Sequence, residues 1–224
     1  MIKLIIFDWD DVFILGSKNG YFKCYHETLL ELGIILNPDL EKERVMENWG
    51  KSHREEIKGL LKEWPELWEK AYGIYEQKLF GTAFVDEIKP VKGISDLLQR
   101  LSKKYILTVV TGMHPKLLKE MIMPKFEIPN VFSQIITAYD VKDPAKQKPD
   151  PYAIEMLLDK FKINADETIM VGDSESDIRM ARSAGVIPVA VLTGHLKLAD
   201  ARNLKLTHII KDVTCLEEVF EALN

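Results

Sequence analysis

Six short runs of apolar, β-favouring residues alternate with amphipathic helical stretches along most of this chain, and this alternation restricts the fold more than any other feature. The runs are "KLIIF" (3–7), "YILTVV" (105–110), "SQIITA" (133–138), "TIMVG" (168–172), "IPVAVL" (187–192) and "THIIK" (207–211). They are apolar nearly throughout, as parallel strands covered on both faces require. Apolar residues recur at helical spacing in 93–104, 115–126, 151–161, 175–185 and 215–223. Repeated βα units joined by right-handed crossovers predict an α/β fold, a Rossmann-like doubly wound parallel sheet.

Residues 14–88 break the rhythm. No convincing strand is found there, only the helical patterns "YFKCYHETLLELG", "LEKERVMENW", "HREEIKGLLKEW" and "ELWEKAYGIYEQKLFG". The segment is too long for a connection inside a compact domain. It predicts an all-helical unit (14–88) inserted in an α/β core made of 1–13 and 89–224. Gly16 and Gly20 at one end, with Pro90 and Gly93 at the other, punctuate the junctions.

Composition narrows the function classes. With 224 residues, 46% of them hydrophobic, the chain can bury a substantial core. Its 30 basic and 35 acidic residues give a net charge of −5, and the basic ones are scattered, which argues against a nucleic-acid partner. Cys24 and Cys215 lie far apart and form no CxxC pair, so neither a disulfide framework nor a zinc site is expected. The apolar start "MIKLIIF" is too short for a signal-peptide core or a membrane span. The expectation is a cytoplasmic globular protein, monomer or homodimer, with no membrane partner.

Directly behind the first strand, "FDWDDV" places Asp8, Asp10 and Asp11 within four positions. Carboxylates that close repel one another, and burial strips them of hydration. Either they form a solvated turn, or a cation or a reaction offsets the cost. In open parallel sheets ligands bind beyond the carboxyl ends of the strands. The same position after other strands holds Thr111 and Gly112, then Asp173 with Ser174 beside it and Asp177 a helical turn on. Lys148 sits in the loop "KQKPDP". Each has a plainer reading alone: Thr111 or Asp173 as a helix cap, Lys148 as a surface lysine.

Together, "DWD", "VVTG", "KPDP" and "VGDSESD" occur in one order, each in its expected context. This set resembles the haloacid dehalogenase superfamily of phosphohydrolases and mutases, and the helical insertion looks like that family's C1 type of cap. The resemblance implies Asp8 as a nucleophile that becomes an aspartyl phosphate, and Asp10 as the general acid and base, its carbonyl also facing the metal. It implies Mg2+ held by Asp8, Asp10, Asp173 and Asp177, the last as a ligand or as an orienting neighbour. It also implies phosphate contacts from Thr111, Gly112 and Lys148. Dehalogenases of the superfamily typically carry a non-acidic residue where Asp10 stands, so Asp10 favours phosphoryl transfer.

Two positions depart from the family pattern. Asp11 replaces the usual Gly, and the simplest expectation is a side chain turned out to solvent. Gly112 stands where many relatives have Asn. The segment "WGKSHREE" (49–56) loosely resembles the substrate loop of the β-phosphoglucomutase and phosphoglycolate-phosphatase-like branch. There Lys51, His53 and Arg54 are candidate substrate contacts, against a plainer reading of Ser52 as a helix cap with solvated basic neighbours. The expected activity is a Mg-dependent phosphatase for a small phosphorylated metabolite. The alternatives are a sugar-phosphate mutase and a non-catalytic phosphate-binding or partner-binding protein.

Overall fold

The computed structural model describes residues 1–223. Strand β1 (Leu4–Phe7) is followed by a two-residue strand β2 (Ile14–Leu15) and five helices: α1 (Ser17–Glu31), α2 (Pro38–Met46), α3 (His53–Leu60), α4 (Trp68–Leu79) and α5 (Thr82–Val85). Strand β3 (Lys89–Pro90), α6 (Ile94–Leu101) and β4 (Ile106–Thr111) return the chain to the sheet. Then come a π-helical segment (Leu117–Ile122), α7 (Met123–Lys125), β5 (Gln134–Thr137), α8 (Tyr152–Phe161), β6 (Thr168–Gly172) and α9 (Glu175–Ser183). The chain ends through β7 (Ile187–Val191), α10 (Leu198–Asn203), β8 (His208–Ile210) and α11 (Leu216–Leu223).

Six of the strands form one parallel sheet in the order β5-β4-β1-β6-β7-β8. The order reverses around β1, which pairs with β4 on one side and β6 on the other. Phe7 lies opposite both Val109 and Val171, so β1 stops two residues short of the end of β4 and one short of that of β6, and the residues after Phe7 lie beside those strand ends at one edge. The four residues of β1 are all fully buried, which is why "LIIF" carries no alternation. Trp9 continues this core beyond the strand, packing on Phe13 and Phe132 with ring centroids 5.2 and 6.1 Å away. The aspartates on either side of Trp9 are thereby anchored to a rigid point.

All six predicted strands are present, shifted at their ends by a residue or two. Three details differ from the sequence reading. Ile14–Leu15, inside the stretch read as strand-free, pairs antiparallel with Lys89–Pro90 at the root of the helical insertion. A two-residue rung is too short to leave a periodic signal. The helix expected over 115–126 opens into a π-helical turn, because Pro124 has no N–H to donate back along it. Helix α10 was not anticipated. No described helix is long and apolar enough to cross a membrane.

Candidate active site

The adjoining carboxyl ends of β1, β4 and β6 bring together side chains far apart in sequence. The Lys148 ammonium lies 2.7 Å from a carboxylate oxygen of Asp8 and 2.7 Å from one of Asp177. Asp8, Asp173 and Asp177 each offer a carboxylate oxygen, and these oxygens all lie within 4.8 Å of one another. Asp177 is placed by the start of α9, where its carboxylate accepts from the Ser174 amide and hydroxyl in a capping box. Asp173 is held by the loop after β7: its carboxylate accepts from the His195 amide at 2.8 Å. A side chain at position 194 would collide with that carboxylate, a Cβ falling 1.7 Å from it, so only glycine fits there.

The electrostatics are unbalanced. Fully ionised, buried Asp8, Asp173 and Asp177 would carry three negative charges against one ammonium, a deficit of two. Burial pushes the Asp8 carboxyl up to about 6 despite Lys148, and burial with Asp177 and Asp8 nearby pushes Asp173 well above the usual carboxylate range. Burial opposes the charge on Lys148 too, but Asp177 and Asp8 outweigh it and hold the ammonium above the ordinary lysine range. Asp10 is also pushed well up, by burial and then by Asp8 and Asp11; one of its oxygens is buried without a partner and the other lies 3.4 Å from the Tyr21 hydroxyl. Crowded hard-oxygen donors with a charge deficit of two fit a divalent cation such as Mg2+.

Thr111 is buried at the end of β4, where its hydroxyl accepts from the Met113 amide. Gly112 abuts the helical insertion: a Cβ there would fall 2.9 Å from the Lys51 carbonyl and 3.0 Å from that of Gly50. An Asn side chain would not fit under that loop, which explains the glycine. The loop is also tied to the sheet by Gln147, whose side chain accepts from the Ser52 amide and donates to the carbonyls of Ala138 and Val141.

Between insertion and sheet lies a cavity of about 20 Å3, lined by Asp8, Asp10, Lys148, Tyr21, Trp49 and His53 among others. Beside it runs a cleft of about 610 Å3 that shares Trp49, Ser174 and Ser176 with it. A further depression of about 750 Å3 lies along β5, away from Asp8, Asp10, Asp173 and Asp177.

Of the three loop residues expected to meet a substrate, His53 lines the cavity, while Lys51 and Arg54 do not. Lys51 bonds to Asn48 at 3.1 Å, and exposed Arg54 pairs with Glu69 at 2.8 Å and stacks on Tyr72. Sequence reasoning missed Glu56, Gln147 and the Gly194–His195 turn. Glu56 stands three residues after His53, a spacing that puts both on one helix face. Gly194 follows a strand, so the rule that found Asp173 applies to it as well.

Asp11 corrects an expectation. It is buried rather than solvated, with φ of +52°, and its carboxylate accepts from the backbone amides of Gly16 at 2.7 Å and Lys18 at 3.1 Å. A left-handed backbone is one that Gly adopts freely, and Asp is among the few other residues that adopt it readily. Here Asp11 caps α1 from five residues upstream, since α1 has no side-chain cap of its own. Asp11→Ala should therefore lower unfolding free energy by about 1–2 kcal/mol in denaturant titrations, the range for a lost N-cap. A loss within ~0.3 kcal/mol would contradict the capping role.

A family model described as "Haloacid dehalogenase-like hydrolase" matches residues 5–191. A phosphoglycolate phosphatase of Aliivibrio fischeri is 33% identical over 103 residues, 46% of this chain and 44% of that protein, so the match spans under half of the relative's length. A protein named as a pyrophosphatase, PpaX, of Caldanaerobacter subterraneus is 27% identical over 224 residues, covering 100% of this chain and 96% of its own. Among solved structures, a hydrolase from Pseudomonas syringae superposes with a TM-score of 0.76 at 21% identity, covering 98% of each chain. A haloacid dehalogenase-like family protein from Streptococcus pneumoniae gives 0.74 at 22%, again covering 98% of each. The structural likenesses bear on the fold; the family match covers most of the chain and includes every carboxylate of the site. The chain belongs to the haloacid dehalogenase-like hydrolases.

Proposed function

We propose that this protein is a Mg2+-dependent phosphatase acting on a small phosphomonoester through an aspartyl phosphate on Asp8. The observation that carries the reading is the set Asp8, Asp173 and Asp177, with carboxylate oxygens within 4.8 Å of one another and Lys148 bonded to the first and last, around a deficit of positive charge. Asp8 and Asp173, the Asp10 carbonyl and, directly or through orientation, Asp177 would hold the ion. When bound, it would offset the repulsion between an attacking carboxylate and the phosphoryl oxygens.

The chain's own residues then divide the work. A carboxylate oxygen of Asp8 forms a bond to phosphorus while the bond to the leaving oxygen breaks. Asp10, whose protonated form is favoured by burial and by Asp8, gives its proton to that oxygen, so a neutral alcohol departs. Water next attacks phosphorus, Asp10 takes back a proton, and the bond to Asp8 breaks to release phosphate. Lys148 and the Gly112 amide hold the transferring oxygens, and Thr111 fixes the turn that presents that amide.

The helices over residues 14–88 act as a cap. A cavity of about 20 Å3 has room for little more than a water molecule, so a substrate enters only when the Gly50–Ser52 loop lifts from Gly112 and Gln147. Phosphate release from an aryl phosphate should require Mg2+, vanish with excess EDTA and return when Mg2+ is restored. Release that persists at full rate in EDTA would overturn the metal's part, and accumulation of an isomer from sugar phosphates without free phosphate would point to a mutase.

A further inference from the structure

The mechanism above leaves one buried polar cluster unused. His53, at the first position of α3, is 3% exposed, and its Nδ1 lies 3.0 Å from Glu56 and 3.1 Å from the hydroxyls of both Tyr25 and Tyr75. Glu56 is 4% exposed. It accepts from the Tyr25 hydroxyl and, on its other oxygen, from the Gly50 amide at 3.3 Å. Tyr25 has one proton and gives it to Glu56, so Nδ1–H is the donor that completes that carboxylate's shell. The other ring nitrogen, Nε2, is buried with no hydrogen-bond partner among the described residues, and the space that His53 lines is the cavity containing Asp8 and Asp10. A buried nitrogen without a partner has given up its bond to water and gained nothing in return. A ligand group that reaches it recovers that cost.

The charge around the cavity says which group. Lys148 is the one cation among the residues lining it, and two carboxylates already neutralise it. Glu56 makes the cap side negative if His53 is neutral and uncharged overall if it is protonated. Neither nearby basic side chain lines the cavity: Arg54 is paired with Glu69, and Lys51 is held outside it by the neutral side chain of Asn48. A second anionic group on the substrate, set against Glu56, would meet no unpaired cation among the residues that line the cavity, and enclosing it would leave a charge uncompensated. A hydroxyl carries no such cost, and it can donate to Nε2 or accept from it.

We infer that the His53–Glu56 pair, braced by Tyr25 and Tyr75, is a specificity site for a hydroxyl on the leaving alcohol, and that the substrate is a phosphomonoester of a neutral polyol or sugar rather than of a hydroxy acid. The inference rests on the phosphatase reading of the site. Three nearly isosteric esters test it: 2-hydroxyethyl phosphate, ethyl phosphate and 2-phosphoglycolate, with an aryl phosphate as the reference for chemistry. In the wild type, kcat/KM for the hydroxyethyl ester should exceed that for the ethyl ester at least tenfold, with phosphoglycolate below both. His53→Ala should bring the hydroxyethyl-to-ethyl ratio to within about twofold of one, whatever its absolute rate. Glu56→Gln should raise the phosphoglycolate-to-hydroxyethyl ratio. A wild-type enzyme that prefers phosphoglycolate, or shows no preference for the hydroxyl, would overturn the inference while leaving the phosphatase reading intact. So would a ratio unmoved in His53→Ala. Failure on all four esters, the aryl phosphate included, would instead remove the phosphatase reading and this inference with it.

Discussion

Asp8→Asn should lower kcat/KM for phosphate release from every ester by three to four orders of magnitude, about 4–5 kcal/mol of transition-state stabilisation. The substitution keeps the size of the side chain but removes the anionic oxygen that would attack phosphorus. The loss should not come from unfolding. Burial disfavours the charge on Asp8 by more than the Lys148 ammonium favours it, which pushes the carboxyl up to about 6, so a neutral side chain of the same size costs the metal-free fold nothing. Thermal melting of the variant without metal should therefore match or exceed that of the wild type. Residual activity within tenfold of the wild type would remove Asp8 from the nucleophile's role.

Asp10→Asn separates protonation of the leaving group from attack on phosphorus. For an alkyl phosphate, whose alkoxide leaves poorly, kcat/KM should fall about 100- to 10,000-fold, the usual worth of a positioned general acid. For p-nitrophenyl phosphate the phenolate needs little help, and the loss should be under about tenfold. The ratio kcat/KM is the right readout, because it covers only steps up to departure of the alcohol. The later hydrolysis step, which also uses Asp10, drops out of it. Equal losses on the two esters would contradict the acid role.

Much of this architecture is legible in the sequence because the sheet is parallel. Its strands are buried on both faces, so "TIMVG" and "KLIIF" stand out as unbroken apolar runs. The residue after each strand is then a site candidate by topology alone, which places Asp8, Thr111 and Asp173 at one edge. What stays hidden depends on contacts made after folding. Asp11 reads as one more acidic residue in a turn, and only the backbone amides of Gly16 and Lys18 reveal it as a cap. Gly112 reads as a mild departure until the Gly50–Lys51 loop is seen to occupy the space a side chain would need. Arg54 and His53 are neighbours in one basic segment, yet helix α3 sends one to an exposed pair with Glu69 and the other into the cavity. Residues adjacent in sequence face in directions about 100° apart on a helix, so a basic run alone cannot tell which member meets the substrate.

The central claim is that phosphate passes through a covalent bond to Asp8, and it can be tested by trapping that bond. The enzyme is mixed with substrate and Mg2+, quenched within the turnover time, and treated with borohydride, which reduces an acyl phosphate to an alcohol but leaves free carboxylates alone. Peptide mass mapping should find the reduced side chain at Asp8, in proportion to the enzyme caught in turnover, and none when substrate is omitted. An unmodified Asp8 in enzyme that is releasing phosphate, or the label on a different carboxylate such as Asp173, would contradict the account.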